Sequence, residues 1–185
     1  DANRTRRVGD EVITKQFRQY QSLKESLKQN PIDFTPVEIE VDYTLPPAFI
    51  FDIDGTLAHK GDRSPYDWMK VGLDSLDVPT RYMATSIDNT NEAFKNEGKV
   101  IICTGRDGVC LDETEKWLIA HKIPYDAIYI RPKGDMRPDW VVKEEMWREI
   151  SKNYHIIGMF DDREQVVNRA RALGFKVFQC EYHNF

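Results

Sequence analysis

The segment "FIFDIDGTLA", residues 49–58, places Asp52 and Asp54 at the end of an apolar run and directly before a Gly-Thr turn. The run is typical of a buried strand, and residues two apart on extended backbone point to the same side. Asp52 and Asp54 are therefore expected to face one crevice as a carboxylate pair, in which one group can act as nucleophile while the other carries a proton. Gly55 permits the sharp turn that follows. Taken alone, the pair also fits a structural Asx turn.

From this segment onward, β-rich runs alternate with helical stretches. The runs are "AFIFDI", "KVIICT", "DAIYI", "HIIGMF" and "FKVFQ", and the helical stretches lie near residues 80–97, 111–122, 139–153 and 164–173. Such alternation predicts an α/β fold, a parallel sheet with helices on both faces. Ligands of such sheets bind at the carboxyl ends of the strands.

Polar clusters end the first, second and fourth runs, namely Asp52 with Asp54, the segment Thr104, Gly105 and Arg106, and Asp161 with Asp162. The concentration of carboxylates favours a hard cation such as Mg²⁺, although Asp161 and Asp162 also suit a helix cap. The hydroxyl, flexible glycine and guanidinium of the second cluster suit phosphate oxygens. Lys143, early in the helical stretch "DWVVKEEMWREI", is by itself an ordinary solvated charge.

The organisation outside these runs predicts three parts. Residues 11–29 repeat apolar positions at helical spacing, and the proline-containing stretch that follows predicts a linker with one edge strand. We expect an N-terminal helical appendage over residues 1–30, a linker over 31–45 and the main domain over 46–185. Residues 57–97 hold a polar loop and one helix, which predicts a small cap insertion rather than a large closing lid.

Composition bounds the class of protein. The chain has 185 residues, of which 41% are hydrophobic, enough for one domain with an appendage. Its apolar stretches fall far short of the roughly 18–20 residues of a membrane span, and no signal peptide opens it, so a cytoplasmic protein is expected. Cys103, Cys110 and Cys180 form no CxxC pair, which favours reduced thiols. The net charge of −5 argues against broad adhesion to nucleic acid but allows a local arginine cluster.

Taken in order, "DIDGT", "TGR", Lys143 and "DD" resemble the four motifs of the haloacid dehalogenase superfamily, over roughly residues 46–185. The segments "FIFDIDGTLA", "RPKGDMRPDWVVKEEMW" and "FDDREQV" resemble the 3'-phosphatase domains of phage polynucleotide kinase-phosphatases. The segment "NRTRRVGDEVITKQFRQYQSL" resembles the lid and final helix of the kinase module of those enzymes. No GxxxxGK[ST] motif occurs and the chain begins at Asp1, so a fragment that lacks the kinase module is expected.

The resemblance implies a Mg²⁺-dependent phosphatase that removes 3'-phosphate from DNA or RNA ends during nucleic-acid repair. By resemblance, Asp52 forms an aspartyl-phosphate, and Asp54 protonates the leaving oxygen and then activates water. The implied metal ligands are Asp52, Asp54 through its carbonyl, Asp161 and Asp162. The residues implied to hold the phosphate or the polynucleotide are Thr104, Gly105, Lys143, Arg106, Arg131 and Arg137.

Alternatives remain at this point. A small-molecule phosphatase of the same superfamily would act on free metabolites, and a non-catalytic binding or assembly module would use the helix of residues 11–29 for docking. Tyr66 and Trp68 can stack on a base or pack locally. The resemblance also implies a host cell infected by phage and a homo-oligomer, while DNA or RNA preference and activity on 2',3'-cyclic phosphate stay open.

Overall fold

The computed structural model describes residues 37–89 and 98–183, together with residues 14, 17, 18, 20 and 21. The chain divides into two compact units, Asp1–Thr35 and Pro36–Phe185. In the first unit the described residues are helical and exposed, and the rest of the helix predicted over residues 11–29 lies outside the described residues. The assignment of residues 1–30 and 31–45 to an appendage and a linker stays a prediction.

A parallel sheet forms the centre of the second unit. Its five strands in the described part of the chain are β1 (Pro47–Phe51), β4 (Lys99–Asp107), β5 (Ala127–Arg131), β6 (His155–Arg163) and β7 (Val177–His183). They lie in the order β5-β4-β1-β6-β7, and every neighbouring pair is parallel. The predicted α/β fold is thereby confirmed.

Helices cover both faces of the sheet because successive strand residues alternate between two hydrophobic clusters. The helices are α1 (Val78–Asn89), α2 (Leu111–Ala120), α3 (Asp139–Ile150) and α4 (Glu164–Ala172). On one face Ile50 and Ile101 pack against Trp147 of α3 and Val167 of α4. On the other, Phe51 and Ile102 pack in a cluster with Ala84 of α1 and with Trp117 and Leu118 of α2.

The segment between β1 and α1 contains more structure than the sequence predicted. The strands β2 (Ala58–His59) and β3 (Ser75–Leu76) pair antiparallel, and a 3-10 helix spans Trp68–Leu73 between them. These pieces are too short to show a periodicity in the sequence. The edge strand expected within residues 31–45 is not found among the described residues 37–45.

The three polar clusters lie where the sequence predicts them, at the carboxyl ends of adjacent strands. Asp52 directly follows β1, Thr104 lies in the last part of β4, and Asp161 in that of β6. Because β1 pairs with both β4 and β6, the clusters meet at one edge of the sheet. None of the helices in the described part of the chain has the length and hydrophobicity that crossing a bilayer requires.

Candidate active site

An acidic cluster is formed by Asp52, Asp161 and Asp162. One carboxylate oxygen from each residue lies within 4.8 Å of the others, and all three side chains are buried. The Oδ1 atom of Asp52 is buried and lies 3.1 Å from the Lys143 ammonium, an ion pair without hydrogen-bond geometry. Buried anionic oxygens that outnumber their donors are costly unless a cation binds between them. The donor set, oxygen only, fits Mg²⁺.

Gly55 lies directly against this cluster. A Cβ at this position would lie 2.2 Å from Oδ2 of Asp162, and the backbone φ is +84°, which favours glycine. The turn after Asp54 therefore requires glycine on two grounds, and it brings the backbone against the Asp162 carboxylate.

Lys143 is the cation closest to the cluster among the described residues. Its side chain is almost fully buried, and its Nζ lies 2.8 Å from Asp161, 3.1 Å from Asp52 and 3.6 Å from Asp139. Burial acts to lower the pKa of Lys143, but the surrounding carboxylates outweigh it and the pKa is raised. Lys143 is therefore a permanent positive charge beside the predicted nucleophile.

The charges around Lys143 do not balance. Burial raises the pKa of Asp52 and of Asp161, Lys143 opposes this, and the neighbouring carboxylates add to the rise. One ammonium thus faces more negative charge than it neutralises. A divalent cation among the same oxygens would remove this excess and keep both carboxylates ionised.

Asp54 lies in a separate network of ion pairs. Arg106 donates from Nε to Oδ2 of Asp54 at 2.8 Å and from Nη2 to Oδ1 at 2.9 Å. Arg63 donates to Asp54 at 3.1 Å, and both arginines donate to Asp74 at 2.7 Å. Burial acts to raise the pKa of Asp54, but Arg106 outweighs it, aided by Arg63 and Lys143, and the pKa is lowered. The two positive charges of this network, on Arg63 and Arg106, therefore equal the two negative charges on Asp54 and Asp74.

Arg106 faces protein groups in this structure rather than an open phosphate site. Its side chain is 1% exposed, and its remaining contact is with the hydroxyl of Thr114 at 3.4 Å. A direct contact of Arg106 with phosphate stays a prediction. The partners Arg63 and Asp74 were missed by sequence reasoning, because charged residues in a polar loop have no periodicity that marks them as buried.

Thr104 and Gly105 lie at the end of β4, beside the acidic cluster. Thr104 is fully buried and accepts a hydrogen bond from the backbone of Arg106 at 3.3 Å. A Cβ on Gly105 would lie 2.1 Å from Oδ1 of Asp139, so this position also requires glycine. Asp139, at the start of α3, was missed by sequence reasoning.

Asp139 joins Lys143 to two arginines. Arg131 donates to it at 2.8 Å and Arg163 at 3.4 Å. Burial acts to raise the pKa of Asp139, but Lys143, Arg163 and Arg131 outweigh it and the pKa is lowered. The carboxylate is therefore ionised and contacts Lys143 in an additional ion pair.

Arg131 and Arg137, predicted to bind polynucleotide, both have protein partners. Arg131 donates from Nε to the Gly105 carbonyl at 2.8 Å, and from Nη1 to the carbonyls of Asp135 and Arg137. Arg137 is paired with Asp135 and Glu145, with 38% of its side chain exposed. Binding of a polynucleotide by these arginines stays a prediction, as does base stacking by Tyr66 and Trp68, whose rings contact each other edge to face at 6.3 Å.

Comparison with known proteins decides the family. Residues 46–185 match the model of the polynucleotide kinase PNKP phosphatase domain. The chain belongs to this family. The resemblance inferred from the motifs is thus confirmed, and the clusters described above are those of a phosphatase domain.

Relatives of this phosphatase domain are longer proteins. The chain is 30% identical over 167 residues to a protein of Autographa californica nuclear polyhedrosis virus that carries the name bifunctional polynucleotide kinase/RNA ligase; the match covers 86% of this chain and 22% of that protein. Two solved structures of Pnkp1/Rnl/Hen1 complexes contain similar chains. One has a TM-score of 0.74 and 31% identity, covering 82% of this chain and 50% of that one. The other has a TM-score of 0.73 and 30% identity, and the match covers 96% of this chain and 58% of that one.

Proposed function

We propose that this phosphatase domain is a Mg²⁺-dependent phosphomonoesterase that removes the 3'-phosphate from DNA or RNA ends. The single observation that carries the proposal is the position of Asp52, a buried carboxylate of the acidic cluster whose Oδ1 atom forms an ion pair with Lys143 at 3.1 Å. Membership of the polynucleotide kinase phosphatase family supports the substrate class.

In the first step, a carboxylate oxygen of Asp52 attacks phosphorus. A bond forms between Asp52 and phosphorus, and the bond between phosphorus and the 3'-oxygen breaks. Asp54 gives its proton to the leaving oxygen, so the polynucleotide leaves with a 3'-hydroxyl. In the second step Asp54 accepts a proton from water as the water oxygen attacks phosphorus, which releases inorganic phosphate and restores Asp52.

Mg²⁺ would be held by Asp52, Asp161 and Asp162, with the Asp54 carbonyl as the further ligand that the resemblance implies. When bound, it supplies positive charge that reduces the repulsion between carboxylate and phosphate and aligns the two. Thr104 and Gly105, at the same edge, would hold oxygens of the transferring phosphoryl group. Lys143 would neutralise negative charge on the phosphoryl oxygens and on Asp52.

The ion pairs of Asp54 favour its ionised form, which the second step needs and the first step does not. Arg106 and Arg63 hold Asp54 as a carboxylate, the form that accepts a proton from water. The first step needs the protonated form, which the lowered pKa makes scarce at neutral pH. Burial raises the pKa of Asp52, so the attacking carboxylate stays ionised at acidic pH only if the bound cation holds it so. With Mg²⁺ bound, protonation of Asp54 increases as pH falls, and formation of the aspartyl-phosphate is expected to be faster on the acidic side of neutrality until Asp52 is protonated.

We also infer that the chain is the phosphatase part of a longer kinase-phosphatase. The chain spans about half of the similar chains in the solved complexes and a smaller share of the viral relative, which supports this inference. The names of these relatives support nucleic-acid repair as the setting. Cytoplasmic location in a phage-infected host and homo-oligomer formation stay predictions.

The test measures release of inorganic phosphate with Mg²⁺ from matched 3'-phosphate and 5'-phosphate oligonucleotides, from a 2',3'-cyclic phosphate end and from a nucleoside 3'-monophosphate. Release from the 3'-phosphate oligonucleotide is expected, with a loss of at least about 10³-fold in Asp52→Asn, in which the amide is a poor nucleophile. EDTA is expected to abolish release and Mg²⁺ to restore it.

Glu145→Gln serves as the matched control, because Glu145 is exposed and pairs only with Arg137 among the described contacts. Equal activity of the wild type and Asp52→Asn would overturn the mechanism. Release from mononucleotides alone would favour a small-molecule phosphatase, and release from none of the substrates would favour a binding or assembly module.

A further inference from the structure

A cavity of about 330 Å³ lies beside the acidic cluster, at the carboxyl ends of β6 and β7. The residues that line the cavity include Gly55, Thr80, Met83, Phe178, Gln179 and Glu181. Gly55 belongs to both places, since it lines the cavity and its backbone lies against the carboxylate of Asp162. The cavity therefore adjoins the position that the metal and the phosphate take in the proposed function.

The apolar wall of the cavity is the end of an aromatic stack that starts in the core. Phe51 and Phe160 stack with ring centroids 4.4 Å apart, and Phe160 and Phe178 stack at 5.0 Å. Phe51 and Phe160 are buried, whereas Phe178 is 43% exposed. Met83 of α1, 49% exposed, adds a flexible thioether to the wall. The result is a rigid aromatic surface presented to solvent at the edge of a catalytic site.

The ring of Phe178 also lies near Gly158 of β6 and near Lys176. The ammonium of Lys176 lies 5.9 Å from the centroid of the Phe178 ring, at the outer limit of a cation–π contact. Lys176 is exposed, and its long side chain can move aside at little cost. A planar ligand can therefore reach the exposed part of the ring without disturbing the stack beneath it.

The polar lining residues indicate what the cavity does not bind. Asp77 and Glu181 are acidic, and no lysine or arginine is found among the described lining residues. Such a lining disfavours phosphate, and the two carboxylate oxygens of Asp77 already contact the Thr80 backbone N–H and the His59 ring. Gln179 donates to the backbone carbonyl of Asp162 at 3.1 Å, so the polar wall is fixed relative to the acidic cluster.

We propose that this cavity binds the nucleoside of the terminal nucleotide, whose 3'-phosphate is removed, with its base against Phe178. The proposal rests on the proposed function and adds a subsite to it. The volume lies near the lower end of the range for small-molecule sites, about 300 Å³, which suits one nucleoside and not a longer segment. The aromatic wall matches a base, and the acidic lining disfavours a phosphate in the same cavity.

The test compares wild type and Phe178→Leu on 3'-phosphate oligonucleotides of one sequence that carry a normal terminal nucleotide, an abasic terminal nucleotide or an abasic penultimate nucleotide. Leucine keeps an apolar side chain on Phe160 but removes the stacking surface. Ile119→Ala is the matched control, because Ile119 is 67% exposed on α2 and does not line the cavity. Urea unfolding of each variant checks that the fold is intact.

On the normal end, Phe178→Leu is expected to lower kcat/KM by about 5- to 150-fold, the range for loss of one base–aromatic contact. On the abasic terminal nucleotide, the wild type is expected to fall by a similar factor, and the variant to match the wild type within about twofold. Ile119→Ala should match the wild type on all substrates. Met83→Ala is expected to show the same pattern as Phe178→Leu with a smaller loss.

Equal losses in Phe178→Leu on the normal and abasic ends would overturn the subsite, as would a wild type indifferent to the terminal base. A loss that follows removal of the penultimate base instead would overturn the assignment of the terminal nucleoside. These outcomes differ from failure of the proposed function, in which the wild type releases no phosphate from any of the three oligonucleotides.

Discussion

Two clusters of buried charge lie side by side in this phosphatase domain, and they differ in balance. Around Lys143, the carboxylates of Asp52 and Asp161 share one ammonium, and burial raises the pKa of both, whereas Asp139 is also paired with Arg131 and Arg163. Around Asp54, the two guanidiniums of Arg63 and Arg106 match two carboxylates.

The comparison separates a cluster that needs a ligand from one that does not. In the proposed function, a cation and the phosphate complete the Lys143 cluster. The Asp54 cluster is complete in the protein alone, so its side chains are held in one geometry before substrate arrives. Preorganised charge of this kind lowers the reorganisation needed during reaction.

The largest effect is expected from Lys143→Ala, which makes the imbalance of the first cluster worse. Removing one partner of a buried ion pair costs about 3–5 kcal/mol of unfolding free energy, because Asp52 and Asp161 lose the ammonium that both contact. Mg²⁺ is expected to restore more stability to this variant than to the wild type, while phosphatase activity stays low. Urea unfolding with and without Mg²⁺ measures this, with Lys143→Met as a control that keeps the alkyl chain. A variant as stable as the wild type without Mg²⁺ would contradict the comparison.

A smaller effect is expected from Asp74→Asn, which unbalances the second cluster. The amide still accepts hydrogen bonds but leaves two guanidiniums facing one carboxylate, so we expect a loss of about 1.5–3 kcal/mol of unfolding free energy. The added positive charge should lower the pKa of Asp54 further and move the acidic optimum of phosphate release to lower pH. The gain in stability from Mg²⁺ should be unchanged.

Asp67→Asn is the control for Asp74→Asn, since Asp67 lies in the same insertion but pairs with the exposed Lys70. It should leave stability and the pH profile as they are. If Asp74→Asn changed the gain in stability from Mg²⁺ as much as Lys143→Ala does, the two clusters would act as one.

The smallest effects concern the arginines outside both clusters. Arg131→Ala breaks contacts to Gly105 and Asp139, so we expect kcat/KM to fall by about tenfold. The loss should be equal on a 3'-phosphate oligonucleotide and on an aryl phosphate. Arg137→Ala breaks partly exposed ion pairs and should cost about 1 kcal/mol or less. A selective loss on the oligonucleotide in either variant would instead support the polynucleotide-binding role that the sequence predicts.

The sequence predicted the sheet and the first cluster for the same physical reason. Apolar runs such as "KVIICT" mark buried strands, and parallel strands must end at one edge, so Asp52, Thr104 and Asp161 had to meet. The second cluster depends on Arg63 and Asp74, which lie in a segment without periodicity and come near Asp54 only through the turns of the insertion. No local pattern marks them, so their burial was visible only in three dimensions.

Asp162 lies close to Gly55, and Asp139 lies close to Gly105, so a larger residue at either glycine would alter the site by steric contact. A single methyl group at either glycine would wedge a carboxylate out of place without adding or removing a charge. Gly105→Ala would therefore give a reference protein that keeps the charges of the wild type, with Asp139 displaced, for measurements of long-range attraction to a nucleic-acid end, whereas Gly55→Ala would also strain the backbone at φ +84°.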